Sequence, residues 1–147
     1  MSFLLVELSL RIQVLWMNEA DGRDINAIEA NISSKKEEVI DARSEGRFLG
    51  TAPEPREGLS SGRIPNSKNL SFKKVLENGK LKGDEELDVL FKKLNINNQP
   101  LVFSCGSGLT ACITLLAASQ VLENPLSVYD GSWTEWAQLR PGLIDKE

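Results

Sequence analysis

The stretch Leu101–Leu116 reads LVFSCGSGLTACITLL, and the rest of the chain is read outward from it. An apolar run ending at Ser104 delivers Cys105 into the glycine-rich turn Gly106–Ser107–Gly108, and a second apolar run follows at once. The first run, PLVFSC, fits a strand buried on both faces. The second repeats Leu109, Cys112, Ile113 and Leu116 at helical spacing, which predicts a helix. A turn between a buried strand and a helix start points successive backbone N–H groups inward, and such a nest holds an anion. A cysteine at its base has its thiolate stabilised by amides and by the helix dipole. That matters because the chain contains no histidine, so no internal Cys–His pair is available to activate Cys105. Gly106 and Gly108 allow the required dihedrals and leave room for a substrate. A buried structural cysteine beside turn-shaping glycines accounts for this stretch equally well.

The chain has 147 residues, a length that suits one domain with a single core. Its net charge of −4 argues against a nucleic-acid partner. Two cysteines are too few for a disulfide scaffold or a structural zinc site. Both are therefore expected to be reduced in an intracellular protein, with no metal and no cofactor. Cys112 falls on the apolar face of its helix and reads as a buried thiol. The N-terminal MSFLLVELSLRIQVLWM is broken by Glu7 and Arg11 and is too short to span a bilayer. It also lacks a secretory cleavage site, so no membrane association is expected. Val6, Leu8, Leu10, Ile12, Val14 and Trp16 alternate with other residues, which reads as an edge strand or a partner-facing strip. Residues 1–20 are thus expected to form an extension and residues 21–147 the domain.

Working outward, Asp24 is a candidate N-cap for a helix presenting Ile25, Ile28 and Ile32 on one face. EEVIDAR reads as a strand centred on Val39 and Ile40. Gly50–Gly62, GTAPEPREGLSSG, is a long irregular excursion of the kind that often carries function. DEELDVLFKKLN is an amphipathic helix with Leu87, Leu90, Phe91 and Leu94 on one face and Lys92 and Lys93 near its end. LSVYD is a further strand, and Ser132 with Glu135 forms a capping box that starts the last helix. Alternating strands and helices predict an α/β fold, a parallel sheet with helices on both faces. Sites in such sheets lie beyond the carboxyl ends of the strands, where Asp41, Arg43, Cys105, Asp130 and Ser132 gather. Asp41 and Arg43 read as structural hydrogen-bonding partners. Trp133 and Trp136 read as pocket-mouth or core residues.

Two chemistries use an amide cradle around cysteine. A cysteine phosphatase needs an arginine six residues on to clamp a phosphate dianion, and that position is Ala111. Sulfur transfer remains. CGSGLTA resembles the active-site loop of the rhodanese superfamily, with the closest likeness to 3-mercaptopyruvate sulfurtransferases. DARSEGRFLGTAPEPREGLSSGRIP, KNLSF, PLVFSCGSGLTAC and YDGSWTEW resemble the same family in the same order, and together they cover most of Val39 to Trp136. The resemblance is to the C-terminal, catalytic domain of a two-domain enzyme.

The resemblance implies a rhodanese-like domain with a central parallel five-stranded sheet. It implies that Cys105 takes sulfur from a small-molecule donor as a persulfide and passes it to a thiol acceptor, such as thioredoxin, or to cyanide. Gly106, Ser107, Gly108, Leu109 and Thr110 would cradle that persulfide, with Ser107 assisting proton transfer. Arg47 and Arg56 would bind the donor's carboxylate and carbonyl, a planar group that suits guanidinium geometry. Without the resemblance, both read as loop arginines in surface ion pairs. Thiosulfate enzymes of the family resemble CRKG at the loop; the uncharged Gly106 and Ser107 imply a preference for mercaptopyruvate over thiosulfate. The chain departs from the family at Gly62–Ser67, GRIPNS, where GHIPGA is usual, and nothing in Met1–Asn31 resembles the family's N-terminal domain. It therefore reads either as a stub of a two-domain enzyme or as a single-domain persulfide carrier, or a weakly active binding module, loaded by a protein donor. A cytoplasmic location is expected, with the mitochondrion as the alternative.

Overall fold

The computed structural model describes residues 22–146. The alternating strip Val6–Trp16 and the extension to residue 20 lie outside the described residues. The five-stranded sheet contains β1 (Gly22–Arg23), β2 (Glu38–Asp41), β3 (Lys68–Asn69), β6 (Leu101–Ser104) and β7 (Leu126–Tyr129). Their spatial order is β1-β7-β6-β2-β3, and every pairing is parallel. The helices are α1 (Ile25–Ser34), α2 (Glu45–Leu49), α3 (Asp84–Lys92), α4 (Ala111–Val121) and α5 (Ser132–Leu139). A separate hairpin pairs β4 (Leu76–Glu77) with β5 (Lys80–Leu81).

Alternation along the strands divides the core into two layers. Val39 and Val102 pack with Ile28 of α1 and with Trp133, Trp136 and Ala137 of α5. Ile40, Leu101 and Phe103 pack on the other face with Leu87 and Phe91 of α3 and with Leu115 and Ala118 of α4. Since successive strand residues face opposite ways, a strand covered on both sides must be apolar throughout. That explains the apolar Leu101, Val102 and Phe103 of β6; Ser104 at its end is buried as well. Asp24 caps α1 as its sequence position suggests, accepting the Ala27 N–H at 2.8 Å.

Two local expectations fail. Leu109 does not lie on the buried face of α4: the helix starts at Ala111, and Leu109 is 78% exposed in the preceding loop. Its helical spacing continues a periodicity that the glycine turn has already broken. Nor does Ser132 cap α5. No side-chain cap bond forms there, and Ser132 adopts a φ of 54° with its hydroxyl turned towards the cysteine strand. Trp133 and Trp136 are both core residues.

Candidate active site

Three parallel strands end on one rim, which brings Asp41 of β2, Cys105 after β6 and the Asp130–Ser132 corner after β7 together. β6 lies between β7 and β2, so Cys105 leaves the sheet at its centre. The cysteine is buried, with a relative exposure of 1%. Its backbone is fixed from the β7 side: the Cys105 N–H donates to Ser132 Oγ at 3.1 Å, and its carbonyl accepts the Trp133 N–H at 2.9 Å. The Ser132 hydroxyl in turn donates to the Tyr129 carbonyl at 2.9 Å. The next carbonyl, that of Gly106, accepts both the N–H and the hydroxyl of Thr134. The start of α5 thus anchors the first residues of the cysteine turn.

Beyond that anchor the turn folds back over the sulfur. The Gly108 N–H donates to Cys105 Sγ at 3.0 Å. Gly108 has a φ of +94°, and a Cβ there would lie 2.8 Å from the Asp130 carbonyl oxygen. Only glycine meets both demands. The amides of Gly106, Ser107, Leu109 and Thr110 make no hydrogen bond to another described group. These are the donors an anionic sulfur species needs, at the entry to α4 where the helix field adds to them. Cys112 is a buried thiol, as read from its position, and donates towards the Gly108 carbonyl.

An open pocket of about 240 Å³ adjoins the turn. Gly106, Ser107 and Thr110 form one wall; Arg47, Arg56 and Phe72 contribute to the others. The structure therefore sets Gly106, Ser107 and Thr110 on one pocket with both candidate donor-binding arginines, while Cys105, Gly108 and Leu109 do not line it. Arg56 is exposed, while Arg47 is largely covered by an ion pair.

Glu54 lies at the centre of that ion pair and was not singled out from the sequence. Its carboxylate is 3% exposed and is shared by two arginines. Arg47 approaches it through Nε and through Nη2 at 2.6 Å, and Arg43 through Nη1 at 2.6 Å. Arg43 is fully buried. It forks onto Asp41, donates to the Gly62 carbonyl, and stacks 4.2 Å over the Trp133 ring. Trp133 Nε1 reaches the Ser60 carbonyl at 2.8 Å. Asp41 and Arg43 are structural, as read, and what they hold is the Gly50–Gly62 loop. The C-terminal tail closes the same loop: Arg63 and Asp145 exchange backbone hydrogen bonds, and a Cβ on Gly62 would meet the Asp145 carbonyl at 2.6 Å.

A rhodanese-like domain profile matches residues 24–139. The chain belongs to the rhodanese-like family. It is 46% identical over 108 residues to the 3-mercaptopyruvate sulfurtransferase of Mus musculus, covering 72% of this chain and 36% of that protein. It is 43% identical over 114 residues to the thiosulfate sulfurtransferase of Rattus norvegicus, covering 76% of this chain and 38% of that one. Among solved structures, the sulfur transferase subunit of yeast mitochondrial complex I superposes with a TM-score of 0.79 at 38% identity, over 88% of this chain and 47% of that one. The chain thus spans little more than a third of the length of the curated relatives it matches. Among the described residues no helix is long and apolar enough to cross a membrane.

Proposed function

We propose that this chain transfers sulfur from 3-mercaptopyruvate, and less well from thiosulfate, to a thiol or cyanide acceptor through a persulfide on Cys105. The observation that carries this reading is the Gly108 N–H on Cys105 Sγ at 3.0 Å, in a turn of unspent amides beside a pocket lined by Arg43, Arg47 and Arg56. The Cys105 thiolate attacks the donor's sulfur. The carbon–sulfur bond breaks, its electron pair leaves as the enolate of pyruvate, and a proton converts the enolate to pyruvate. Ser107, exposed at the turn, relays that proton. Arg47 and Arg56 hold the donor's carboxylate and carbonyl, which places the sulfur for attack. The amides of Gly106, Gly108, Leu109 and Thr110 stabilise the persulfide anion. An acceptor thiolate then attacks the outer sulfur and regenerates the Cys105 thiolate.

A protein donor in place of a free one is the second reading, favoured by the likeness to a sulfur transferase that is a subunit of a larger complex in yeast mitochondria. An open pocket leaves a small donor hydrated and mobile, so steady-state turnover by this chain alone should be slow. The test is pyruvate release from mercaptopyruvate, with dithiothreitol or thioredoxin as acceptor, in a single turnover and at steady state. The free-donor reading predicts a stoichiometric first turnover followed by slow release. No pyruvate in either regime, with loading by a persulfidated protein, would establish the carrier instead.

A further inference from the structure

The pocket's charge is partitioned by a buried carboxylate. Asp41, Arg43, Glu54 and Arg47 form an unbroken chain of ion pairs from the end of β2 to the pocket wall. Two carboxylates face two guanidiniums, so this chain is neutral overall. Exposure rises along it, from 0% at Arg43 and 3% at Glu54 to 24% at Arg47. Arg43 is held by Asp41, by the Gly62 carbonyl and by the Trp133 ring, so Glu54 cannot shift to follow its outer partner. Arg47 conforms to Glu54. It is also pressed against the cysteine turn: a Cβ on Gly106 would lie 3.0 Å from Arg47 Nη2.

We infer that Glu54 is a specificity-determining residue, which orients Arg47 against the cysteine turn and cancels its charge so that the pocket selects a monoanionic carboxylate over a dianion. Arg47 keeps its Nη1 hydrogens for a planar oxygen acceptor, because Glu54 takes the Nε–Nη2 edge. Arg56 remains as the one pocket-lining arginine outside this chain of ion pairs. The Asp130 carboxylate beside Gly108 adds to the bias against a second negative charge. This inference deepens the sulfur-transfer reading and rests on it for the identity of the donors, but it concerns binding alone.

The test reads binding without transfer. Iodoacetamide alkylation of Cys105 is followed by intact mass while pyruvate, a monoanion, or sulfate, a dianion, protects the thiol. The ratio of the two protection constants is compared in wild type, Glu54→Gln and Arg47→Gln. Glu54→Gln adds one positive charge to the pocket and should shift the ratio about tenfold towards sulfate, the scale of one unit charge at a few ångströms in partly screened surroundings. Arg47→Gln removes one and should shift the ratio the other way. Shifts in the same direction, or a Glu54→Gln ratio within twofold of wild type, overturn the inference. Should Glu54→Gln fail to fold, Arg47→Gln decides alone: its side chain is partly exposed, and an unchanged ratio overturns the inference. Opposite shifts in a protein that releases no pyruvate leave the charge partition standing and sink the sulfur-transfer reading.

Discussion

Replacing Arg43 by methionine isolates the interaction that positions the donor side of the pocket. Methionine matches much of the side-chain length and keeps an apolar contact on Trp133, so the change is one of charge more than of volume. It leaves Asp41, 3% exposed, without its guanidinium, leaves Glu54 with Arg47 alone, and orphans the Gly62 carbonyl. Breaking a buried ion pair on one side costs about 3–5 kcal/mol, because the remaining charge stays desolvated. A surface loop arginine would cost about 0–1 kcal/mol. Urea unfolding followed by tryptophan fluorescence separates the two cases. The double variant Arg43→Met/Asp41→Asn should recover part of the loss, since the stranded Asp41 carboxylate leaves with its partner, and the cycle should give a coupling of about 1.5 kcal/mol or more. A loss below about 1 kcal/mol, or additive single changes, would refute the idea that this ion-pair chain holds the Gly50–Gly62 loop.

Other expectations follow from the same geometry. Tyr129 is the only tyrosine, and burial, with the Glu135 carboxylate beside it, pushes its phenol well above the ordinary value of 10.0. A folded-state value raised above the unfolded one means full stability below pH 10 and a loss of about 1.4 kcal/mol per pH unit above it. Absorbance at 295 nm should therefore rise together with loss of the far-ultraviolet signal; a phenol that titrates near pH 10 in a folded chain contradicts this. Ser132→Ala orphans the buried Cys105 N–H at a cost of about 1–3 kcal/mol and keeps the backbone at its positive φ, whereas Ser132→Gly relieves the backbone. Both should speed Cys105 alkylation, and an unchanged rate would mean that the hydroxyl does not order the turn. Gly108→Ala should displace the amide on the sulfur and cut persulfide loading by tenfold or more in a folded protein; near-normal loading would show that this hydrogen bond is incidental.

What the sequence disclosed depended on how local each signal was. β6, α3 and α1 are written in runs and periods within a few residues, and each forms where its pattern places it. β1 and β3 are two-residue strands, too short to carry any alternation. The β4–β5 hairpin had a usable signal that went unread: Asn78–Gly79, both at positive φ, is the dipeptide of a tight hairpin turn. Ser132 shows the reverse failure. Its spacing to Glu135 satisfies a local capping rule, but the Cys105 amide, 27 residues earlier in the chain, claims the hydroxyl. Glu54 looked like one more polar residue in a proline-rich loop. It becomes the central carboxylate only because Arg43, eleven residues away, is pinned beneath it by Asp41 and Trp133. The strand, turn and helix around Cys105 were legible in its apolar runs and glycines, but the stretch alone read equally well as a buried structural cysteine, and the family resemblance made it a candidate nucleophile. Arg47 and Arg56 stood out through family resemblance alone, and the structure sets both on the pocket.

The central claim is that Cys105 carries the sulfur. Intact mass spectrometry of the purified chain after brief exposure to mercaptopyruvate, under non-reducing conditions, tests it directly. The account predicts an added mass of one sulfur atom in wild type and in Cys112→Ala, its removal by dithiothreitol, and no addition in Cys105→Ser. Loading that survives in Cys105→Ser, or that disappears in a folded Cys112→Ala, would contradict it.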